Sequence, residues 1–126
     1  MVMTAVAAQP LAGRTIIVTR AAAQAGTFAE LLRARGASVV EAPTIVIEPP
    51  RSWTALDAAL DGIDRFTWVI FTSVNGVAMV DRRLGEREQS WAAVASKRVA
   101  AIGPATAQAL ERRGVRVALV PAEYRA

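Results

Sequence analysis

With 126 residues and 53% hydrophobic content, the chain is long enough to bury a core and too apolar to remain disordered. It contains neither cysteine nor histidine, which removes disulfides, thiolate chemistry and zinc-finger spacing together with the commonest metal ligand and general base, and so argues against triad or metal-dependent hydrolysis. Fifteen basic against eleven acidic residues give a net charge of +4; this suits an anionic partner such as a polycarboxylate, while the scattered placement of the basic residues gives no reason to expect a nucleic acid.

Residues 1–12 are apolar but precede the first basic residue, Arg14, so they read as a flexible tail rather than a secretory leader. No uncharged run approaches the roughly 18 residues needed to span a bilayer, so no membrane association is expected and a cytoplasmic location follows by default. The run TIIV (15–18) is continuous and β-branched, as in a strand covered on both faces. A helix is expected over 23–35, with Phe28, Leu31 and Leu32 on its inner face and Gly36 as a left-handed C-cap. ASVVE (37–41) then returns as a strand, completing a β-α-β unit over 13–42.

Pro43 and the Pro49-Pro50 pair bracket TIVIE, which reads as an interdomain connector over 43–50 because prolines forbid helix and disfavour a central strand. A second lobe occupies 51–126. Ser52 is placed to cap a helix that turns Leu56, Leu60 and Ile63 inward. WVIF (68–71) is a strand and 75–84 a helix. The polar segment 85–90 is a surface loop, and 99–102 is the next strand. Pro104 opens a further helix, and 117–120 is the last strand. Arg35-Gly36 precedes Pro43 by the same interval as Arg113-Gly114 precedes Pro121, so two β-α-β units share one pattern. Alternation of this kind predicts an α/β protein with parallel, doubly wound sheets, whose ligands sit at the carboxyl ends of the strands.

Arg20, Thr72, Ser73, Gly103 and Thr106 fall at those ends. Ser73, just before Asn75 and Gly76, serves either as a helix cap, worth about 1 kcal/mol, or as a hydrogen-bond partner of a ligand carboxylate. Gly103-Pro104-Ala105-Thr106 combines a tight turn, a preset first helical residue and small side chains, leaving a helix N-terminus open to an anion. The alternative is a plain helix start with the Thr106 hydroxyl folded back onto its own first turn. The three spaced glycines of a dinucleotide fingerprint are absent. Arg20 is either a bidentate carboxylate clamp or a solvated strand-end arginine. Arg82-Arg83 and Arg112-Arg113 are expected to complement helix dipoles. Trp68 is expected in the core, with Trp53 and Trp91 half exposed. The helix-borne acids Glu30, Asp57, Asp61, Asp81 and Glu111 give no paired-carboxylate site.

TIIVTR (15–20), Ala42-Pro43 with the connector from Ile45 to Pro49, FTSVNGV (71–77) and AIGPATA (101–107), in this order, resemble the N-terminal half of the uroporphyrinogen-III synthase family over 11–126. The resemblance implies two α/β lobes joined by a two-stranded connector, both lobes being incomplete in a chain of this length. It also implies a cofactor-free and metal-free lyase of porphyrin biosynthesis that dehydrates and cyclises hydroxymethylbilane with inversion of one pyrrole ring. Carried onto this sequence, it makes Thr106 the candidate catalytic hydroxyl. Arg20, Thr72, Ser73, Asn75, Gly103 and Ala105 become the candidate substrate-binding set. Fusion to other tetrapyrrole enzymes, or a hand-off with them, is compatible with it. The family's later tyrosine, associated with departure of the leaving group, lies beyond this segment, and Tyr124 is given no catalytic role. Two other classes stay open: a non-catalytic synthase-like module that binds a tetrapyrrole or a regulatory partner, and a nucleotide-binding α/β domain.

Overall fold

A computed structural model describes residues 8–123. The chain divides into two compact units, Met1–Glu48 and Pro49–Ala126. In the first, β1 (Thr15–Val18), α1 (Ala22–Ala34) and β2 (Ser38–Glu41) form one β-α-β crossover. The two strands pair in parallel, with Thr15 opposite Ser38 and Val18 opposite Glu41. A parallel pair cannot be joined by a tight turn, so α1 carries the chain back along the sheet.

The inner face of α1 differs from the expectation. Ala25 and Ala29 are the buried residues of the helix, Leu32 is half-buried, and Phe28 and Leu31 are 44% and 55% exposed. Alanines at i and i+4 let the helix backbone approach a narrow two-strand sheet, and the larger side chains are then left on the flanks. Helix α1 ends as foreseen at Gly36, whose φ of +95° fits a left-handed cap: Gly36 N–H donates to Arg33 O at 2.9 Å and Ala37 N–H to Leu32 O at 3.2 Å.

The expected tail 1–12 is only partly open to description, since residues 1–7 lie outside the described range. Its last part includes a hydrogen-bonded turn: Ala12 N–H donates to Gln9 O at 3.1 Å and Leu11 N–H to Arg35 O at 2.9 Å. A Cβ on Gly36 would meet Ala12 N at 3.0 Å, so this turn also requires glycine there. Residues 43–48 carry no regular secondary structure; Thr44 N–H and its hydroxyl both donate to Thr19 O at 3.2 Å.

The second unit runs α2 (Thr54–Asp61), a single 3-10 turn (Ile63–Arg65), β3 (Trp68–Phe71), α3 (Val74–Glu86), α4 (Ala92–Ala95), β4 (Arg98–Ala101) and α5 (Pro104–Glu111). Strands β3 and β4 are parallel, with Trp68 opposite Arg98 and Phe71 opposite Ala101. The expected strand 117–120 contracts to one parallel bridge, Leu119 to Ala100, supported by Ala118 N–H to Val99 O at 2.7 Å and Ala101 N–H to Leu119 O at 3.0 Å. Phe71, Val77, Val94, Val99, Leu110 and Val115 form the core beneath α3 and α5.

Local expectations are corrected here too. Helix α3 runs on to Glu86, into the expected loop 85–90, where Glu88 adopts φ 54° and Gln89 N–H closes on Leu84 O at 2.8 Å; α4 then forms in the stretch between that loop and β4, for which no element was expected. Trp53, not Ser52, is the N-cap of α2, although Ser52 Oγ accepts from Thr54 N–H at 3.2 Å. Trp68 is 40% exposed rather than buried, with the Arg98 guanidinium 5.7 Å from its ring centroid. The repeated pattern does hold at its glycines: Gly114 takes φ +77°, and Val115 N–H reaches Leu110 O at 3.1 Å as Ala37 reaches Leu32. No helix among the described residues is long and apolar enough to cross a membrane.

Candidate functional site

The second unit brings two strand-to-helix turns side by side. At the carboxyl end of its sheet, Phe71 O accepts Ile102 N–H at 3.0 Å, so β3 and β4 are still paired where the chain leaves them. One exit leads through Thr72 and Ser73 into α3, the other through Ile102 and Gly103 into α5. Parallel strands thus present two helix N-termini on one edge, with the partial positive charge of their first turns.

The two turns are built differently. Ser73 is extended (φ −156°, ψ 155°) and its Oγ accepts Gly76 N–H at 3.0 Å, capping α3. This occupies a lone pair and leaves the O–H available to donate. Gly103 is buried and extended (φ −149°, ψ 168°), Pro104 follows at the start of α5, and this helix has no side-chain cap. Among the described residues the N–H groups of Ala105 and Thr106 have no acceptor within the protein, as helix geometry dictates for a first turn. Thr106 is only 5% exposed, yet among the described residues no hydrogen bond engages its hydroxyl, neither back onto its own turn nor elsewhere. The oxygen is not fully sealed from solvent.

Thr72 and Ala105 are exposed, and Asn75 and Gly76 are half-buried. Thr72, Ser73, Asn75, Gly103, Ala105 and Thr106 therefore belong to one edge of one unit. Arg20 belongs to the other unit, exposed two residues beyond β1, at the position of its own sheet that Ser73 holds in the second. No ion pair among the described residues engages it. Beside the first turn an apolar cleft of about 400 Å³ is lined by Leu56, Leu60, Ile63, Ile70, Thr72 and Gly76 among others. Segments 71–77 and 101–107 contain no charged side chain. The edge can hold an anion through N–H and O–H donors, without a proton-transfer group of ordinary strength.

The charged side chains lie instead on the backs of the helices. Arg83 grips Asp57 with Nε at 2.8 Å and Nη2 at 2.6 Å, stacks over Trp53 at 5.5 Å and also meets Glu86 at 3.1 Å. Arg83 thus ties α3 to α2, beyond any service to the helix dipole. The hydrogen bonds from Arg83 hold the Asp57 carboxyl below the usual carboxylate range. Arg113 likewise reaches Asp81, with Nη2 donating to Oδ2 at 3.2 Å; its Nε lies 3.1 Å from Oδ1 but too far off line to donate. Trp91 Nε1 donates to Asp81 Oδ1 at 2.6 Å. Hydrogen bonds from Arg113 and then Trp91 keep the Asp81 carboxyl below its ordinary pKa. The contact of Asp81 with Trp91 and Arg113 is not legible in the sequence, because neither spacing nor residue type marks a contact across a loop. Among the described residues no cluster of acidic side chains could hold a metal, and Tyr124 lies outside the described range.

Comparison with known proteins covers both turns. The family model described as Uroporphyrinogen-III synthase HemD matches residues 26–126. A uroporphyrinogen-III synthase from Synechococcus elongatus is 45% identical over 118 residues, 94% of this chain and 44% of the relative. The Porphyrin biosynthesis protein HemD of Ruminiclostridium josui is 33% identical over 85% of this chain and 21% of its own length, and a uroporphyrinogen-III synthase of Chlorobaculum parvum is 33% identical over 86% and 42%. The chain thus spans less than half the length of these curated relatives. Because the matched residues include the whole second unit and both of its strand-to-helix turns, the chain belongs to the uroporphyrinogen-III synthase family.

Proposed function

We propose that this chain supplies the substrate-folding edge of a uroporphyrinogen-III synthase, which converts hydroxymethylbilane to uroporphyrinogen III. The observation that carries the reading is the pair of adjacent helix N-termini, α3 and α5, with their hydroxyls and uncommitted N–H groups and no charged side chain. Hydroxymethylbilane is a linear tetrapyrrole bearing carboxylates, and its reaction asks for shape more than for a strong acid or base. The terminal hydroxyl leaves with a proton as water, giving an azafulvene. The substituted carbon of the last ring bonds to that electrophile, forming a spiro centre, which reopens by cleaving its other bond. The free α-carbon of that ring then bonds to the released methylene carbon and loses its proton, closing the macrocycle with the ring inverted.

In this scheme Thr106 donates a hydrogen bond to the departing hydroxyl, stabilising charge as it develops there. Ser73 and the Ala105 and Thr106 N–H groups take carboxylates, with Thr72, Asn75 and Gly103 shaping the edge. Holding the two ends of the bilane in reacting geometry is the larger contribution, since orientation alone lowers barriers by several kcal/mol, up to about 7–11. Arg20, on the first lobe, 13–42, is assigned a carboxylate-clamping role of its own; the connector, 43–50, and the second lobe, 51–126, follow it in the chain. The protein works in the cytoplasm, and fusion to other tetrapyrrole enzymes or exchange of intermediates with them fits this role.

The test presents the chain with hydroxymethylbilane and separates the cyclic products after oxidation. Product with one ring inverted supports the reading. A second reading, favoured by the coverage of only 44% of the Synechococcus elongatus relative, is a synthase-like module that binds a tetrapyrrole without turnover. Binding of the bilane with only uninverted product supports that reading and overturns the first.

A further inference from the structure

We infer that Asp81 is a positioning residue that sets the axial register between the α3 and α5 N-termini; the inference rests on the synthase reading of that edge. Asp81 lies on α3 about 12 Å along the axis from Ser73, and Arg113 lies beyond the end of α5 about 15 Å from Gly103, at 1.5 Å per residue. The two helices leave parallel strands and pack against each other, so a link at similar depth on both fixes how far each N-terminus projects. Asp81 makes that link. Its Oδ2 accepts Arg113 Nη2 at 3.2 Å, while Arg113 Nη1 also donates to Ala109 O at 2.7 Å, holding the guanidinium to the last turn of α5.

The same carboxylate fixes a third element. Trp91 donates to Asp81 Oδ1 at 2.6 Å, and its ring meets that of Phe71 at 5.9 Å between centroids and 48° between planes. Phe71 is the last residue of β3, 7% exposed, directly before Thr72 and Ser73. Asp81 thereby braces both turns from behind, one through Arg113 and α5, the other through Trp91 and Phe71, without touching substrate. The core here includes small residues, Ala107 and Ala109, beside Val77 and Leu110, and the polar link adds a directional constraint to apolar packing, which is itself non-directional.

The test compares the wild-type protein with Asp81→Asn, which keeps an acceptor for Trp91 but lacks the charge for Arg113, with Asp81→Ala, and with the exchanged pair Asp81→Arg/Arg113→Asp. Two readouts are taken well below the melting temperature. The first is amide hydrogen exchange at Gly76, Val77 and Ala107 in the substrate-free protein. The second is KM and kcat for inverted product. A smaller folded fraction lowers kcat and leaves KM alone, whereas displaced N-termini raise KM. The inference expects faster exchange at these amides and KM raised about tenfold in Asp81→Ala, an ångström-scale misplacement being worth up to about a hundredfold. Asp81→Asn should be intermediate, and the exchanged pair should recover part of the loss. Unchanged exchange, or a loss confined to kcat, overturns the inference whatever the activity of the wild type. Altered exchange in a protein that makes no inverted product overturns the synthase reading, and the catalytic part of this inference with it, while the brace itself remains visible.

Discussion

The turn after β3 and the turn after β4 start from the same local plan, a parallel strand feeding a helix, and resolve it in opposite ways. The first satisfies itself: Ser73 caps α3 at 3.0 Å, and Phe71 beneath it is packed by Trp91. The second leaves its polar groups open: Gly103 brings no side chain, Pro104 brings no N–H, and Thr106 is 5% exposed with no hydrogen bond to its hydroxyl among the described residues. A hydroxyl with no protein partner adds nothing to the fold and is left to solvent or a ligand. The difference teaches that the first turn commits its polar groups to the fold while the second leaves them open; under the proposed function the first would serve mainly as a fixed wall and the second as the donor.

The strongest way to break the comparison is to remove the support of the first turn. Phe71→Ala deletes a ring that is 7% exposed and in contact with Trp91, and should destabilise the second unit by about 3–5 kcal/mol in denaturant unfolding. The corresponding residue of β4 is already alanine, Ala101, so no such cost is available beneath the second turn. Next comes Thr106→Val, which keeps the shape and discards the hydroxyl. Its melting temperature should be unchanged or slightly raised, because no protein partner is lost, while formation of inverted product should fall about 10- to 100-fold. An unchanged rate removes Thr106 from the mechanism. Ser73→Ala should do the reverse in kind, costing about 1 kcal/mol of stability through the lost cap with a smaller loss of rate than Thr106→Val. If Ser73→Ala left stability intact and abolished turnover, the division of labour between the turns would be wrong.

Much of this plan was legible in the sequence because it rests on local backbone chemistry. Glycine at a positive-φ cap ends α1 at Gly36 and closes α5 at Gly114, and a serine before Asn75-Gly76 caps α3. Those devices act over a few residues and leave a signature within them. The inner face of α1 was misread because alanine and leucine both satisfy helical periodicity, and only the width of the sheet decides that Ala25 and Ala29 pack while Leu31 does not. Trp68 was misplaced for a related reason. Alternate residues of a strand face opposite sides, and the identity of a side chain does not tell which side is covered. Asp81, Trp91 and Arg113 were out of reach because their contact joins α3, the start of α4 and the end of α5, and such a contact has no fixed spacing.

The smallest expected effect concerns pH, and it sharpens the contrast between the edge and the helix backs. Neither turn carries a titratable side chain, and the chain has no histidine, so stability should be nearly flat between about pH 5 and 8. The groups that respond are behind: Asp81, held low by Arg113 and Trp91, Asp57, held low by Arg83, Asp64, held low by Lys97, and Glu86, held low by Arg82 and Arg83. A carboxylate whose folded-state pKa lies below its unfolded value stabilises the fold above the unfolded pKa and loses that contribution as pH falls through the folded one. Acid should therefore weaken the second unit only below about pH 4, near and beneath the ordinary carboxylate range. Asp81→Asn should flatten that slope slightly, read from chemical denaturation repeated down the acid range. A slope centred near neutrality would place the responsive group elsewhere, and an unchanged slope in Asp81→Asn would mean that solvent screens the Arg113 pair too well for Asp81 to brace α5 against α3 by charge.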